Sequence, residues 1–142
     1  MAKPDPALLD PARYPFVHEI GTRFADLDPN DHINNVAMAA LLEDGRVRFN
    51  AAAGVGRARP KLRFMVASVA IDYLAQAHYP GTMTCHCGAA SLGRTSFAIQ
   101  QLLRQGDRAV AVARTVVVCT DGQRPTPLPD SLRGAFDSWM IR

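Results

Sequence analysis

The sequence predicts an α+β domain in which one long helix lies against one antiparallel sheet. A single extended stripe of apolar residues has helical spacing, four strand-like segments follow it in a row, and glycine and proline punctuate the gaps between those segments. A first strand precedes the helix, from Phe16 to about Ala25. Asn34 and Asn35 are good helix N-caps, and from Val36 to Ala53 the residues Met38, Leu41, Leu42, Gly45, Phe49 and Ala52 recur at three and four. Gly54 and Gly56 supply the stop. Gly45 inside the stripe costs about 1 kcal/mol against alanine unless the sheet wraps the helix closely at that point.

The four later strands are expected at about 62–77, 82–91, 94–104 and 107–120. Tyr79-Pro80-Gly81, Leu92-Gly93-Arg94 and Gln105-Gly106-Asp107 carry hairpin punctuation, so consecutive strands are expected to pair antiparallel. In the last segment Val110, Val112, Val116 and Val118 alternate with Ala109, Ala111, Ala113 and Thr115, and the small face is where a helix can lie close. Pro125, Pro127 and Pro129 end the sheet, and Asp130 or Ser131 can cap a short helix through Phe136. One helix covers one face of a sheet. Pairing with a second subunit is the least costly way to manage the other face and the edges.

At 142 residues, with 48% hydrophobic and 20% charged residues, the chain suits one globular domain over 16–142, after a loose leader over 1–15 that holds Pro4, Pro6, Pro11 and Pro15. The net charge of +3 comes from scattered arginines rather than basic blocks, which gives no nucleic-acid footprint. No apolar run reaches the length of a signal-peptide core or a membrane span, so no membrane association and a cytoplasmic location are expected. Cys85, Cys87 and Cys119 form no C-x-x-C. Cys85-His86-Cys87 places two thiols on one face of a strand and the histidine on the other, and buried free thiols are the expectation.

The densest chemistry lies in Asp26-Leu27-Asp28-Pro29-Asn30-Asp31-His32-Ile33-Asn34-Asn35, at the amide-rich end of the long helix, where an oxyanion can be held. Asp28-Pro29-Asn30 can be a turn in which a side chain bonds its own backbone, or it can present a reactive carboxylate. A calcium loop does not fit, since position twelve from Asp26 is Ala37, and no metal is expected. Glu43 lies about 12 Å along the axis from Asn35, too far to act on a carbonyl held at the helix start, and is expected to pair with Arg46 or Arg48.

Arg23 to Asn35, followed by Leu42-Glu43-Asp44-Gly45-Arg46, resembles the signature of hotdog-fold acyl-CoA thioesterases of the 4-hydroxybenzoyl-CoA thioesterase type. Val69-Ala70-Ile71-Asp72-Tyr73, Leu92 to Phe97 and Val110 to Arg114 look like the later strands of that fold, so the likeness spans roughly 16–120. It implies a hotdog fold, a long central helix wrapped by about five antiparallel strands, and hydrolysis of acyl-CoA thioesters without a cofactor. Asp28 matches the family's catalytic carboxylate, with Asp26 in support. Asp28-x-Asn30-x-His32 also matches the spacing in plant acyl-carrier-protein thioesterases, so an acyl-carrier-protein substrate is a further possibility.

A thioester needs its carbonyl polarised and a nucleophile delivered. The amide of Asn35 can do the first, and Asp28 the second, as nucleophile through a mixed anhydride or as general base on water. Asn30 and Asn34 can orient water or the carboxylate, and His32 can hold it or shuttle a proton. In this fold the helix start of one subunit faces strand residues of the other, so Met38 and Leu42 are expected to line the acyl tunnel with partner residues from about 62 to 75, in a homodimer or homotetramer. Arg59, Lys61, Arg94, Thr95 and Ser96 are candidates for the coenzyme phosphates, alongside a solvated basic loop as the plainer reading. A non-catalytic acyl-CoA or acyl-carrier-binding module is the main alternative function.

Overall fold

The computed structural model describes residues 3–58 and 61–142. The order is β1 (Phe16–Gly21), α1 (Asn35–Ala52), β2 (Arg63–Tyr73), β3 (Thr82–Leu92), β4 (Ser96–Gln105), β5 (Arg108–Thr120) and α2 (Asp130–Phe136). The five strands form one antiparallel sheet in the order β1-β3-β4-β5-β2, with α1 packed on one face. This is the hotdog architecture.

α1 buries Met38, Leu42, Gly45, Arg46 and Phe49, at steps of four, three, one and three. The close-packing need at Gly45 is real: a Cβ there would lie 2.5 Å from Cys85 Sγ. Beside it Gln101 Nε2 donates to the Leu42 carbonyl at 2.8 Å, which ties the central strand to the middle of the helix. Ala111 and Ala113 of β5 face the helix-side core, and Val112 faces away, with Leu102 and the buried Tyr14. The helix ends where Gly54 takes a positive φ of 84°. Cys85 and Cys87 point to one side as the alternation requires, their Sγ atoms 3.8 Å apart, and all three cysteines are free and buried.

The first strand is shorter than expected. It stops at Gly21 because residues 24–26 turn as a 3-10 helix, closed by reciprocal bonds between Arg23 and Asp26. The expected hairpin at Tyr79-Pro80-Gly81 is also absent, since β2 pairs β5 at one edge and β3 pairs β1 and β4. Residues 74–81 instead carry the chain across the sheet, past the start of α1. Proline and glycine mark a change of direction, and they do not choose the partner strand. The other two turns are hairpins, between β3 and β4 and between β4 and β5.

The proline-rich start makes two short 3-10 turns, Pro6–Leu9 and Pro11–Arg13, and Tyr14 donates its hydroxyl to the Leu8 carbonyl at 2.7 Å. α2 lays Leu132 and Phe136 against the far end of the core, with the Phe136 ring 4.8 Å from that of Phe97.

Candidate active site

The cluster that precedes α1 is a small, closed loop. Leu27 and Ile33 pair across its base, Asp28 N donates to His32 O at 2.9 Å, and Asp31 N donates to Asp28 O at 3.0 Å. Asp31 turns the tip with a φ of 61°, a conformation that aspartate tolerates. Two further backbone bonds orient the loop, one of them long-range. Ile33 N donates to Ala77 O at 2.9 Å, and Asn34 N donates to Asp26 O at 2.9 Å. Asp26 itself is buried and held by Arg23 at 2.8 Å, and these hydrogen bonds keep its carboxyl below the usual range.

Asp28 serves both readings that the sequence left open. Its Oδ1 accepts from the backbone of Asn30 at 2.8 Å and of His32 at 3.2 Å, so the side chain shapes the turn. No described donor takes Oδ2. The carboxylate is therefore fixed through one oxygen and has the other for chemistry.

At the helix start Asn34 is the cap, its Oδ1 accepting from Ala37 N at 2.7 Å, and Met38 N bonds the Asn34 carbonyl. That leaves the first-turn amides of Asn35 and Val36 without a described acceptor, as expected of N1 and N2. An open cleft of about 530 Å³ is lined by Asp28, Asn34, Asn35 and Val36, so the residue that carries the carboxylate and the first two residues of the helix border one space. A second depression, of about 330 Å³, lies on the other side of Asp28, among His32, Asn35, Met38 and Tyr73.

The expected site residues thus divide. Asp28, Asn30, His32, Asn34, Asn35 and Met38 lie together, whereas Leu42 is completely buried one turn further into the core. Arg94 and Thr95 lie in the β3–β4 turn and Ser96 opens β4, level with Val118 of β5, and Val118 faces Met65 near the start of β2. Lys61 lies at that same end. The helix start lies at the opposite end, beside Tyr73, which is level with Ala111 and Leu103. At roughly 3.3 Å per residue the two ends of β2 are about 30 Å apart, so one chain does not bring the two groups together. Arg59 lies outside the described residues.

The expected pairing of Glu43 with Arg46 or Arg48 is not formed. Arg48 pairs with Asp44, one turn earlier on its own face, at 2.9 Å. Two neighbours of the site were missed. Tyr73 donates its hydroxyl to the Asn35 carbonyl at 3.1 Å, and the His78 ring lies 5.3 Å from that of His32. Their only sequence signal is an aromatic side chain at a strand end and a histidine in a connection, and neither says which loop they meet.

The sequence profile of the thioesterase-like superfamily matches residues 22–136. The chain belongs to the thioesterase-like superfamily. Among solved structures this thioesterase-like chain is similar to a thioesterase from Thermus thermophilus complexed with coenzyme A and zinc, at 26% identity and a TM-score of 0.80, over 89% of this chain and 95% of that one. It is similar to a predicted thioesterase from Bacillus stearothermophilus, at 26% identity and a TM-score of 0.81, over 89% and 97%. The gentisyl-coenzyme A thioesterase BH1999, 16% identical with a TM-score of 0.76 over 85% and 99%, shares the fold. No curated protein matches the chain.

Proposed function

We propose that the protein hydrolyses acyl-CoA thioesters to the free acid and coenzyme A, in the manner of the 4-hydroxybenzoyl-CoA thioesterase type. One observation carries this reading: Asp28 is held through a single oxygen at a cleft that is also lined by Asn35 and Val36, whose first-turn amides have no described acceptor. The amides receive the carbonyl oxygen and stabilise the charge that develops on it. Asp28 then either attacks the carbonyl carbon, giving a mixed anhydride that water opens, or takes a proton from the attacking water. In both routes the C–S bond breaks, and the net reaction consumes one water. His32 and Asn30 flank the carboxylate on the second depression. The coenzyme-bound structure of the Thermus relative supports coenzyme A as the carrier.

The acyl-CoA site is completed by a second copy. β2 is an edge strand, and an antiparallel two-fold contact along it sets the Lys61 end of one protomer beside the Tyr73 end of the other. Lys61, Arg94, Thr95 and Ser96 of one copy then face the Asp28 loop of its neighbour, which removes the separation of about 30 Å that one chain imposes.

Thiol release from aromatic and from acetyl- to palmitoyl-CoA esters, measured for wild type and Asp28→Asn in parallel, tests the assignment. Asparagine can still accept the two backbone bonds, so the loop is retained. The variant is expected to lose at least about 100-fold in kcat with its thermal midpoint nearly unchanged. Equal turnover would remove Asp28 from the chemistry. A wild type that binds the esters and releases no thiol would be a binding module.

A further inference from the structure

A third pocket lies on α1 well beyond the helix start. It is a cavity of about 270 Å³ between α1 and the edge of the sheet, walled by Val47, Val55, Phe64 and Val117, and it contains Arg46 and Asn50. Arg46 is 8% exposed, yet among the described residues it has no ion pair within 4.0 Å and no hydrogen-bond acceptor. Its guanidinium nitrogens are not sealed from solvent space, so the unpaired charge is open to an acceptor that enters the cavity. Beside it Asn50 also lines the cavity, and its buried Oδ1 lacks a partner among the described residues. Burial lowers the Arg46 pKa, and the charge of Glu43 opposes that shift, so the guanidinium remains a cation.

The place of the cavity suggests what fills it. Arg46 stands eleven residues past Asn35, about 16 Å along the axis, too far for a short acyl group held at its own helix start. In the β2 contact proposed above, Phe64 and Val66, which line the cavity, lie opposite the Tyr73 end of the partner. Its walls are apolar and its floor holds one cation and one amide. That suits a monoanion taken through two parallel guanidinium bonds. Glu43, exposed and also lining the cavity, repels any anion there, a phosphate dianion more strongly than a carboxylate.

We propose that the Arg46 cavity is the acyl-end subsite and that it takes a carboxylate, so the preferred substrates are short acyl-CoA esters with a second, terminal carboxyl group. This rests on the hydrolase reading, and the tests separate the two. In wild type, kcat/KM for succinyl- and glutaryl-CoA is expected to exceed that for butyryl- and valeryl-CoA by at least about tenfold. Arg46→Gln should cost glutaryl-CoA at least about tenfold more than it costs valeryl-CoA, chiefly through KM, and Arg46→Lys should recover part of the difference. Calorimetry with free glutarate gives a readout independent of turnover: binding to wild type that Arg46→Gln abolishes supports the subsite even if no ester is hydrolysed, an outcome that would sink the hydrolase reading alone. Wild-type hydrolysis with no preference for the charged esters would overturn the subsite and leave the hydrolase reading intact. Should Arg46→Gln not fold, the wild-type comparison and Arg46→Lys decide the matter.

Discussion

Gly45 shows how closely the sheet grips its helix. A methyl group at this position meets Cys85 Sγ at 2.5 Å and Cys85 Cβ at 3.2 Å, and the strand that carries them is pinned by its neighbours on both sides. Gly45→Ala gains about 1 kcal/mol of helix propensity. The overpacking outweighs it, so urea denaturation should show a net loss of about 1–2 kcal/mol. Adding Cys85→Ala removes the nearer atom and should restore part of that loss, whereas a simple propensity effect would make Gly45→Ala more stable by itself. On the opposite face His86 is 6% exposed, with neither ring nitrogen hydrogen-bonded. Burial lowers its pKa, and the charge of Arg104 lowers it further. The unfolded chain therefore binds a proton at higher pH than the folded one does. The stability from a neutral His86 is present above the unfolded value near 6.5 and is lost as pH falls through the window below it. His86→Leu should flatten the fall in thermal midpoint between pH 7 and pH 5; an unchanged slope would place the titration elsewhere.

Among the elements, the start of α1 matters most, since the Asn34 cap holds the first turn in the shape that frees the amides of Asn35 and Val36. Asn34→Ala should cost about 1 kcal/mol in stability and Asn34→Asp much less, because aspartate also caps. If the cap also sets the oxyanion site, kcat should fall in the alanine variant and recover in the aspartate one. This loop was legible in the sequence because its bonds are local: Asp28, Asn30, His32 and Asn34 determine one another within a few residues. The helix and strands were legible for the same reason, since their periods are written in neighbouring side chains. Long-range relations were not. The Tyr73 hydroxyl reaches Asn35 from 38 residues away, and nothing in Tyr79-Pro80-Gly81 says that β3 will join β1 rather than β2. Nor does the basic character of Lys61 and Arg94 reveal that their end of the sheet is the one away from Asp28.

For the whole molecule, the two edges of the sheet differ. β1 is six residues long and carries His18 and Glu19, with His18 near Asp44 at 3.8 Å. β2 is eleven residues long, and between Met65 and Ile71 its only polar side chain is Ser68. Met65, Val66 and Val69 are 58%, 51% and 44% exposed, with no charge or proline along that stretch to discourage pairing. A long apolar edge with unpaired backbone groups favours a second copy of itself. An antiparallel two-fold contact satisfies those groups without leaving a further edge of the same kind. Wild type should therefore sediment as a dimer or a larger even assembly, and lysines at Val66 and Val69 should shift it to monomer. In the proposed arrangement the same contact brings the Lys61 and Arg94 end of one chain to the Asp28 loop of the other. The Val66→Lys, Val69→Lys monomer should consequently lose most of its kcat/KM for CoA esters while its helix and sheet remain by circular dichroism. A folded monomer with full activity would show that each chain holds a complete site, and the proposed shared arrangement would fall.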